Sequence, residues 1–256
     1  MPANKKKSAV ASSDALAKFQ AKQNEQAIKQ ARNKNDNKLA LIVSAVAILV
    51  AVLAQFAYFT AGPGYVAPKT AEPKATVSNS PLVPSPALAE GREWTGTIEV
   101  NGKPLEISID GAAAPQAAAN FITLANKGFY NGLSCHRITN GGFYVLQCGD
   151  PNGDGTGGPG YSWGPLEHTP VDNVYMKGVI AMARAGGDGN SNGSQFFIVY
   201  EDSTIPSDQA GGYTVIGRIT SGLPELISTV TSQGTENGGT DGRPKVPVTI
   251  TSIAVK

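Results

Sequence analysis

Histidine and cysteine are nearly absent from this chain of 256 residues, which contains two of each. The two histidines, His136 and His168, fall far short of a metal-binding cluster, so no metal site is expected. The two cysteines allow no more than one disulfide bond within the chain. Glycine and proline are plentiful instead, with 30 and 17 residues, beside 41% hydrophobic residues. This composition is typical of a loop-rich soluble domain joined to a further segment of different character.

That further segment is an uncharged run over residues 39–59, in which only Ser44 and Gln55 are polar. A helix of this length spans about 30 Å, the thickness of the hydrocarbon core of a bilayer. A buried helix of a globular core would usually be shorter and amphipathic. The run therefore predicts a transmembrane helix, assigned to residues 39–60.

Charge is distributed unevenly on the two sides of this run. Residues 1–38 carry nine Lys and Arg against three acidic residues, whereas the rest of the chain carries twelve against seventeen. Because basic flanks stay in the cytoplasm, residues 1–38 are expected to be a cytoplasmic tail and the C-terminal bulk to lie outside. A nucleic-acid-binding arm is the other interpretation, but Phe19 is the only aromatic residue of the tail. No nucleic-acid partner is therefore expected.

A cleaved signal peptide would have an apolar core of about 7 to 15 residues and a shorter region before it. Ala87-Leu88-Ala89 fits a cleavage site but lies far beyond the apolar run, so an uncleaved signal anchor is favoured. Residues 61–90 contain six prolines and few large apolar groups. Such a segment cannot bury enough surface to fold, which predicts a disordered, semi-extended linker.

Residues 91–256 have the pattern of one folded domain. Alternation with period two on both sides of Asn101-Gly102 predicts a first hairpin. A helix is predicted over residues 115–127, where proline opens an apolar pattern of helical spacing and Gly128 ends it.

A second helix is predicted near residues 225–233. Further short strands are predicted at residues 136–139, 144–148, 179–183, 196–200, 214–219 and 248–255. Many short strands, Gly-rich turns and two helices indicate a mainly β fold, a closed antiparallel barrel capped by helices.

Two stretches of this domain carry its most specific motifs. Residues 135–150 read CHRITNGGFYVLQCGD, and residues 178–197 read GVIAMARAGGDGNSNGSQFF. Together they resemble the proline-binding face of the cyclophilins, over roughly residues 94–256. The resemblance implies an eight-stranded barrel with a helix over each end, and peptidyl-prolyl cis-trans isomerase activity without a cofactor.

The resemblance also implies which residues form the site. Arg137 takes the place of the family's catalytic arginine, and Gln147 that of its active-site glutamine. Phe197 aligns with the aromatic floor of the proline pocket. The other implied substrate-binding residues are His136, Tyr144, Val145, Ala183, Arg184, Ala185, Gln195, Ile205 and Tyr213.

The sequence departs from the family pattern at three places. Nine residues separate Arg137 from Gln147 where seven are usual, and the turn between them is expected to absorb the difference without shifting either strand. No tryptophan lies near Thr204, where the family usually has one that is important for cyclosporin, so weak cyclosporin binding is expected. Arg184 stands where asparagine is usual, in the segment whose backbone binds the residue before proline. This change is expected to alter the preference for that residue.

The expected chemistry needs few groups. An X-Pro bond rotates slowly because amide resonance must be lost across a barrier of about 18 to 20 kcal/mol. A donor aimed at the prolyl nitrogen weakens that resonance, which is the role expected of Arg137, while Gln147 holds the substrate backbone. The prediction is a membrane-anchored isomerase for proline-containing unfolded or secreted polypeptides. A non-catalytic proline-peptide-binding module or chaperone on the same scaffold is the alternative.

Cys135 and Cys148 lie on consecutive predicted strands joined by a turn. Outside the cytoplasm, their thiols could cross-link the hairpin that carries Arg137 and Gln147. The alternative interpretation is a pair of small buried hydrophobic side chains.

Three weaker motifs lack their structural context. Residues 160–164 fit a hydrolase nucleophile elbow and residues 155–160 a phosphate loop, but neither is placed between a strand and a helix. Residues 150–155 copy the first half of a calcium loop, whose twelfth position here is Tyr161. All three are interpreted as one long surface loop.

Overall fold

The computed structural model describes residues 22, 24–26, 29, 45–55 and 79–256. The chain divides into two compact units, residues 1–74 and 75–256. In the first unit, every described residue is helical. The other residues of the predicted cytoplasmic tail, of the predicted span 39–60 and of the predicted linker lie outside the described residues.

The described part of the predicted span, residues 45–55, exposes its large apolar side chains. Val46, Ile48, Leu49 and Leu53 are 55 to 65% exposed. Within the described ranges, no helix has both the length and the apolar character needed to cross a bilayer. The membrane span therefore stays a prediction.

Within residues 79–256 the chain forms eleven strands and two α-helices. The helices are α1 (Pro115–Asn126) and α2 (Leu223–Thr229), and single 3-10 turns cover Pro86–Ala89 and Thr231–Gln233. The strands are β1 (Glu93–Val100), β2 (Lys103–Asp110), β3 (Arg137–Gly141), β4 (Phe143–Cys148), β5 (Val174–Tyr175), β6 (Val179–Met182), β7 (Phe196–Val199), β8 (Ser203–Thr204), β9 (Val215–Ser221), β10 (Asp241–Gly242) and β11 (Ile250–Val255).

Nine strands form one antiparallel sheet in the order β10-β3-β4-β7-β6-β9-β2-β1-β11, and β5 pairs with β8. The predicted first hairpin is present, because β1 and β2 pair along their whole length. Its turn residues Asn101 and Gly102 both have positive φ angles, 51° and 72°. Two left-handed residues give a turn whose twist matches that of the strands it joins.

The predicted closed eight-stranded barrel is corrected to an open nine-stranded sheet. The edge strands β10 and β11 do not pair with each other: β10 pairs with β3 at Ile138 and Thr139, and β11 pairs with β1. The segment before β3 nevertheless approaches the start of β11, where the N–H of Cys135 donates to the carbonyl of Val248. The sheet therefore curls back on itself without a continuous ladder.

Two hydrophobic clusters lie on opposite faces of the sheet, as the alternation of side chains along β4 and β7 requires. Leu146 and Phe196 join the main core together with Phe121 of α1. Val145 and Phe197 join a smaller cluster on the other face. We call this smaller cluster the outer cluster; its buried members are Val145, Tyr175, Ala181, Phe197, Val199 and Ile205.

The last residues of the predicted linker, 79–90, contact the domain. The side-chain amide of Asn79 hydrogen-bonds both peptide groups of Gly164, each over 3.0 Å. Ala89 is fully buried, and its carbonyl accepts from the indole of Trp94 at 2.8 Å. These contacts make residues 79–90 part of the folded domain, since side-chain hydrogen bonds and one small buried residue substitute for a large apolar surface.

Candidate active site

A row of directly opposed residues crosses the outer face of the sheet. Arg137 on β3 is opposite Gln147 on β4, and Gln147 is opposite Phe197 on β7. Phe197 is in turn opposite Ala181 on β6. Opposed residues of an antiparallel pair project from the same face. The register therefore brings Arg137 and Gln147 together with the aromatic residue that the sequence assigned to the proline pocket.

The hairpin that carries Arg137 and Gln147 is closed at both ends. At its tip, Gly141 is opposite Phe143, and Gly142 turns the chain with a φ of 86°. The longer connection between the two strands thus lies at the tip and leaves the register intact. At its base, a disulfide joins Cys135 to Cys148.

The polar half of the site is a connected set of side chains. The guanidinium of Arg137 donates to both carboxylate oxygens of Asp241, over 2.8 and 2.6 Å, and to Oε1 of Gln147 over 3.1 Å. The amide nitrogen of Gln147 then donates to Gln195 over 2.8 Å. Gln195 donates to the carbonyls of Gly155 and Gly157. The direction of each bond fixes how the amide of Gln147 is oriented.

Asp241 stabilises the protonated form of Arg137. Their hydrogen bond raises the pKa of the guanidinium and lowers the pKa of the Asp241 carboxyl. An arginine has five N–H donors. Three of them make the bonds to Asp241 and Gln147, so two remain available on a side chain that is 37% exposed.

The apolar half of the site is the outer cluster. Val145, Phe197 and Ile205 are buried, and the ring of Tyr213 meets that of Phe197 edge-on at 5.5 Å between centroids. The N–H of Tyr213 donates to the hydroxyl of Tyr175 over 2.7 Å. Burial, with its desolvation, raises the pKa of this hydroxyl. Tyr175 is thus a neutral phenol that holds the backbone of Tyr213. The ring of Tyr213 forms one side of the apolar pocket beside Phe197, and we call it the Tyr213 wall.

Arg184, an expected substrate-binding residue, has a side chain with no exposed surface. It forms a bidentate pair with Asp208, with two hydrogen bonds of 2.9 Å. Its guanidinium carbon lies 4.9 Å from the ring centroid of Tyr213. The side chain therefore packs behind the pocket, whereas the exposed backbone of residue 185 borders the groove.

Tyr144, another expected site residue, lies on the opposite face of the sheet. Tyr144 packs against the main core, with its ring 5.8 Å from that of Tyr200. His136 is 7% exposed and, within the part of the chain described, neither ring nitrogen has a hydrogen-bond partner. Burial lowers the pKa of His136. Alternation explains the position of Tyr144, because it is the direct neighbour of Val145, which faces outward. His136 precedes β3, and its ring lies next to Gly155.

A polar groove of about 760 Å³ adjoins the pocket. Gln147 and Gln195 line it, together with Ala183, Ala185 and the Gly-rich loop from residue 151 to 162. Asp150 organises this loop, because its carboxylate accepts from the backbone N–H groups of Asn152, Asp154 and Gly155. The predicted long surface loop thus forms a wall of the groove, which suits an extended peptide backbone.

Four residues that the sequence analysis did not select contribute to the site: Phe143, Tyr175, Asp208 and Asp241. Phe143 packs against the outer cluster. It lies two residues before Val145 and four before Gln147, so the alternation of side chains along β4 could have predicted that it faces the site. Asp241 lies 104 residues from Arg137, and no local pattern links the two.

Comparison with known proteins finds peptidyl-prolyl cis-trans isomerases. A "Probable peptidyl-prolyl cis-trans isomerase B" of Mycobacterium tuberculosis is 42% identical over 153 residues, which are 55% of this chain and 47% of the relative. This chain thus spans about half the length of that relative. Peptidyl-prolyl cis-trans isomerase B of Bacillus subtilis is 44% identical over 124 residues, 48% of this chain and 80% of the relative.

Among solved structures, a cyclophilin-type isomerase of Cryptosporidium parvum is similar, with a TM-score of 0.54 and 28% identity. The similarity covers 64% of this chain and 98% of that one. The same parasite protein has also been crystallised in the presence of the dipeptide Ala-Pro. Residues 95–255 match the family model described as cyclophilin type peptidyl-prolyl cis-trans isomerase/CLD. Since this match covers most of the chain, the protein belongs to the cyclophilin-type peptidyl-prolyl cis-trans isomerase family.

Proposed function

We propose that this protein is a peptidyl-prolyl cis-trans isomerase that binds X-Pro segments of unfolded or secreted polypeptides. The proposal depends on one observation above all. Arg137, Gln147 and Phe197 are opposed on three adjacent strands, so a charged donor lies beside an apolar pocket. Few other functions need a cation, an amide and a proline-sized apolar surface in one row.

The mechanism follows from the chemistry of the X-Pro bond. Its rotation is slow because the amide must lose resonance, and the nitrogen lone pair is free only in the twisted state. A donor that reaches the prolyl nitrogen binds that state better than the planar one, and thereby lowers the barrier. Arg137 has two uncommitted N–H donors for this purpose.

The other groups hold the substrate during rotation. The outer cluster, with Val145, Phe197 and Ile205, binds the proline ring. Gln147 is oriented by Arg137 on one side and Gln195 on the other, so it meets the substrate backbone in a fixed orientation. The chain that precedes proline lies in the polar groove and is the part that rotates.

The test is catalysed isomerisation of an Ala-Pro peptide by the full chain, measured by NMR exchange beside an Arg137→Ala variant. We expect the variant to lose about 10²- to 10³-fold in kcat/KM, as for other single donors to a transition state. Arg218→Met, which removes an exposed arginine of β9 outside the site, is the control and should keep full activity.

Retained activity in Arg137→Ala would exclude the proposed role of the arginine. A folded wild-type chain that binds Ala-Pro peptides without catalysis would instead favour the proline-peptide-binding module or chaperone. Peptide binding is followed by chemical-shift changes in the same samples, so the two functions are separated in one experiment.

We also propose that residues 39–60 anchor the protein in the cell membrane, with residues 1–38 in the cytoplasm, the part of the predicted linker before residue 79 as the tether, and the isomerase domain outside. Support comes from the uncharged run of residues 39–59 and the excess of basic residues before it. The exposed apolar side chains of helix 45–55 also favour a lipid environment.

Fractionation of cells that express the full chain tests this arrangement. We expect the protein to sediment with membranes at high pH, and protease added to intact cells to remove the domain. Recovery in the soluble fraction would contradict the anchor, and protection from external protease would contradict the orientation.

Cyclosporin is expected to bind weakly. Both tryptophans of the chain, Trp94 and Trp163, pack with the main core. Thr204, near which the family usually has a tryptophan, is exposed. Titration calorimetry measures the affinity, and a dissociation constant in the low-nanomolar range would refute the expectation.

A further inference from the structure

The guanidinium of Arg184 uses every hydrogen-bond donor that an arginine has. Its two bonds to Asp208 are joined by bonds to the carbonyls of Ala185, Gly211 and Gly212, which makes five in all. A side chain with five donors then has none left for a ligand. Complete burial of a charged group is tolerated only with such full satisfaction.

Asp208 extends this connection to two loops. Its carboxylate also accepts from the backbone N–H of Gly187, over 2.7 Å, and of Ala210, over 2.8 Å. The hydrogen bonds from Arg184 are the largest cause that holds the pKa of Asp208 well below its usual range. The pair therefore stays ionised and ties the loop after β6 to the loop before β9.

Both ends of this connection border the proline pocket. The guanidinium lies over the ring of Tyr213, which in turn meets Phe197. The N–H of Ala183 donates to the carbonyl of Gln195, and that of Ala185 to Ser191. Within the described part of the chain, the peptide group of Arg184 between them has no hydrogen bond of its own. It remains available to a peptide substrate.

We propose that Arg184 and Asp208 form a positioning clamp that sets the distance between the backbone of residue 184 and the Tyr213 wall, and so selects the residue before proline. The proposal rests on the isomerase function and adds a specificity determinant to the same site. The clamp acts without touching substrate, through the two pocket walls that it joins.

The test compares kcat/KM of the full chain for two peptides that differ only in having alanine or leucine before proline. The variants are Arg184→Asn and Arg184→Lys, because lysine keeps the charge but cannot form the bidentate pair. A relaxed clamp should admit the larger residue, so we expect the leucine-to-alanine ratio to rise about fivefold in both variants, mainly through KM. Arg218→Met is the matched control and should leave the ratio unchanged.

A folded Arg184 variant that loses activity equally on both peptides, or keeps the wild-type ratio, would overturn the clamp. Circular dichroism checks folding. If both Arg184 variants fail to fold, Asp208→Asn is measured, since it keeps the shape of the partner and weakens only one side of the clamp; an unchanged ratio there also overturns it. A wild-type chain without isomerase activity would refute the proposed function alone, and the ratio of peptide affinities would then decide on the clamp.

Discussion

Arg137 and Arg184 each form a bidentate pair with an aspartate from a distant segment, yet their surroundings are opposite. Arg137 and Asp241 are 37% and 51% exposed, whereas the side chain of Arg184 is not exposed at all and only its partner Asp208, at 34%, reaches the surface. The first guanidinium keeps two donors at the surface, and the second keeps none. The difference teaches that the number of uncommitted donors, more than the presence of an ion pair, distinguishes an arginine that serves a substrate from one that holds the protein together.

The same substitution at both arginines should separate these roles most strongly. Arg184→Met leaves three carbonyls and Asp208, whose side chain is 34% exposed, without their donor, so we expect the free energy of unfolding to fall by about 1 to 3 kcal/mol. Arg137→Met should cost less than about 1 kcal/mol, because its partners reach water. Urea unfolding of the full chain measures both, and equal losses would break the comparison.

Asp241, the partner of Arg137, should affect the rate of isomerisation. Asp241→Asn removes the charge that holds the guanidinium, so we expect kcat/KM on an Ala-Pro peptide to fall about tenfold with little loss of stability. Glu201→Gln, at an exposed position outside the row, is the control. Full activity in Asp241→Asn would mean that Gln147 alone positions Arg137.

Acid should affect His136 and Asp241 in different pH ranges. Burial lowers the pKa of His136 from 6.5, so below that pH the unfolded chain takes up a proton that the folded chain does not. Stability should then fall as the pH decreases, by at most about 1.4 kcal/mol per pH unit. Urea unfolding between about pH 8 and about pH 5 should lose this slope in His136→Gln.

The pKa of Asp241 is lowered from 3.8 by its hydrogen bond with Arg137. Its contribution to the free energy of unfolding is therefore present above that pH and is lost only in stronger acid. An unchanged slope in His136→Gln would assign the acid sensitivity to other groups.

Salt should give the smallest effect and still distinguish the two pairs. Between about 0.1 and about 1 M NaCl, the screening length falls from about 10 to about 3 Å. We expect the isomerisation rate of the wild type to fall about twofold, because the exposed pair is screened, and Asp241→Asn to lose this dependence. The stability loss caused by Arg184→Met should change less with salt than the loss caused by Arg137→Met, because three of the five acceptors of Arg184 are neutral carbonyls. A salt dependence of that loss as large as that of the Arg137→Met loss would contradict the burial of the Arg184 side chain.

Local patterns predicted most of the secondary structure. The hairpin around Asn101-Gly102 and the helix opened by Pro115 both depend on neighbouring residues, and both are present. The closed barrel was wrong because β11 and the two-residue strand β10 are the edges of one open sheet and do not pair with each other. Two residues carry too little periodicity to be recognised in a sequence.

Site residues were predictable where a motif and strand alternation agree. Arg137 and Gln147 belong to the same hairpin, so their register follows from the turn. Tyr144 was selected by alignment, although its parity puts it on the face opposite Val145. The burial of Arg184 had no local signal, because its five acceptors come from Ala185 and the segment 208–212.

The row of opposed residues also constrains when the protein becomes active during its own folding. Its members come from β3, β4, β7 and β6, and the aspartate that holds Arg137 comes from β10, near the end of the chain. Contacts between such distant segments form late in folding, since loop closure must precede them. A nascent or partly folded chain therefore has an incomplete site, and full activity reports that all of these strands are in place.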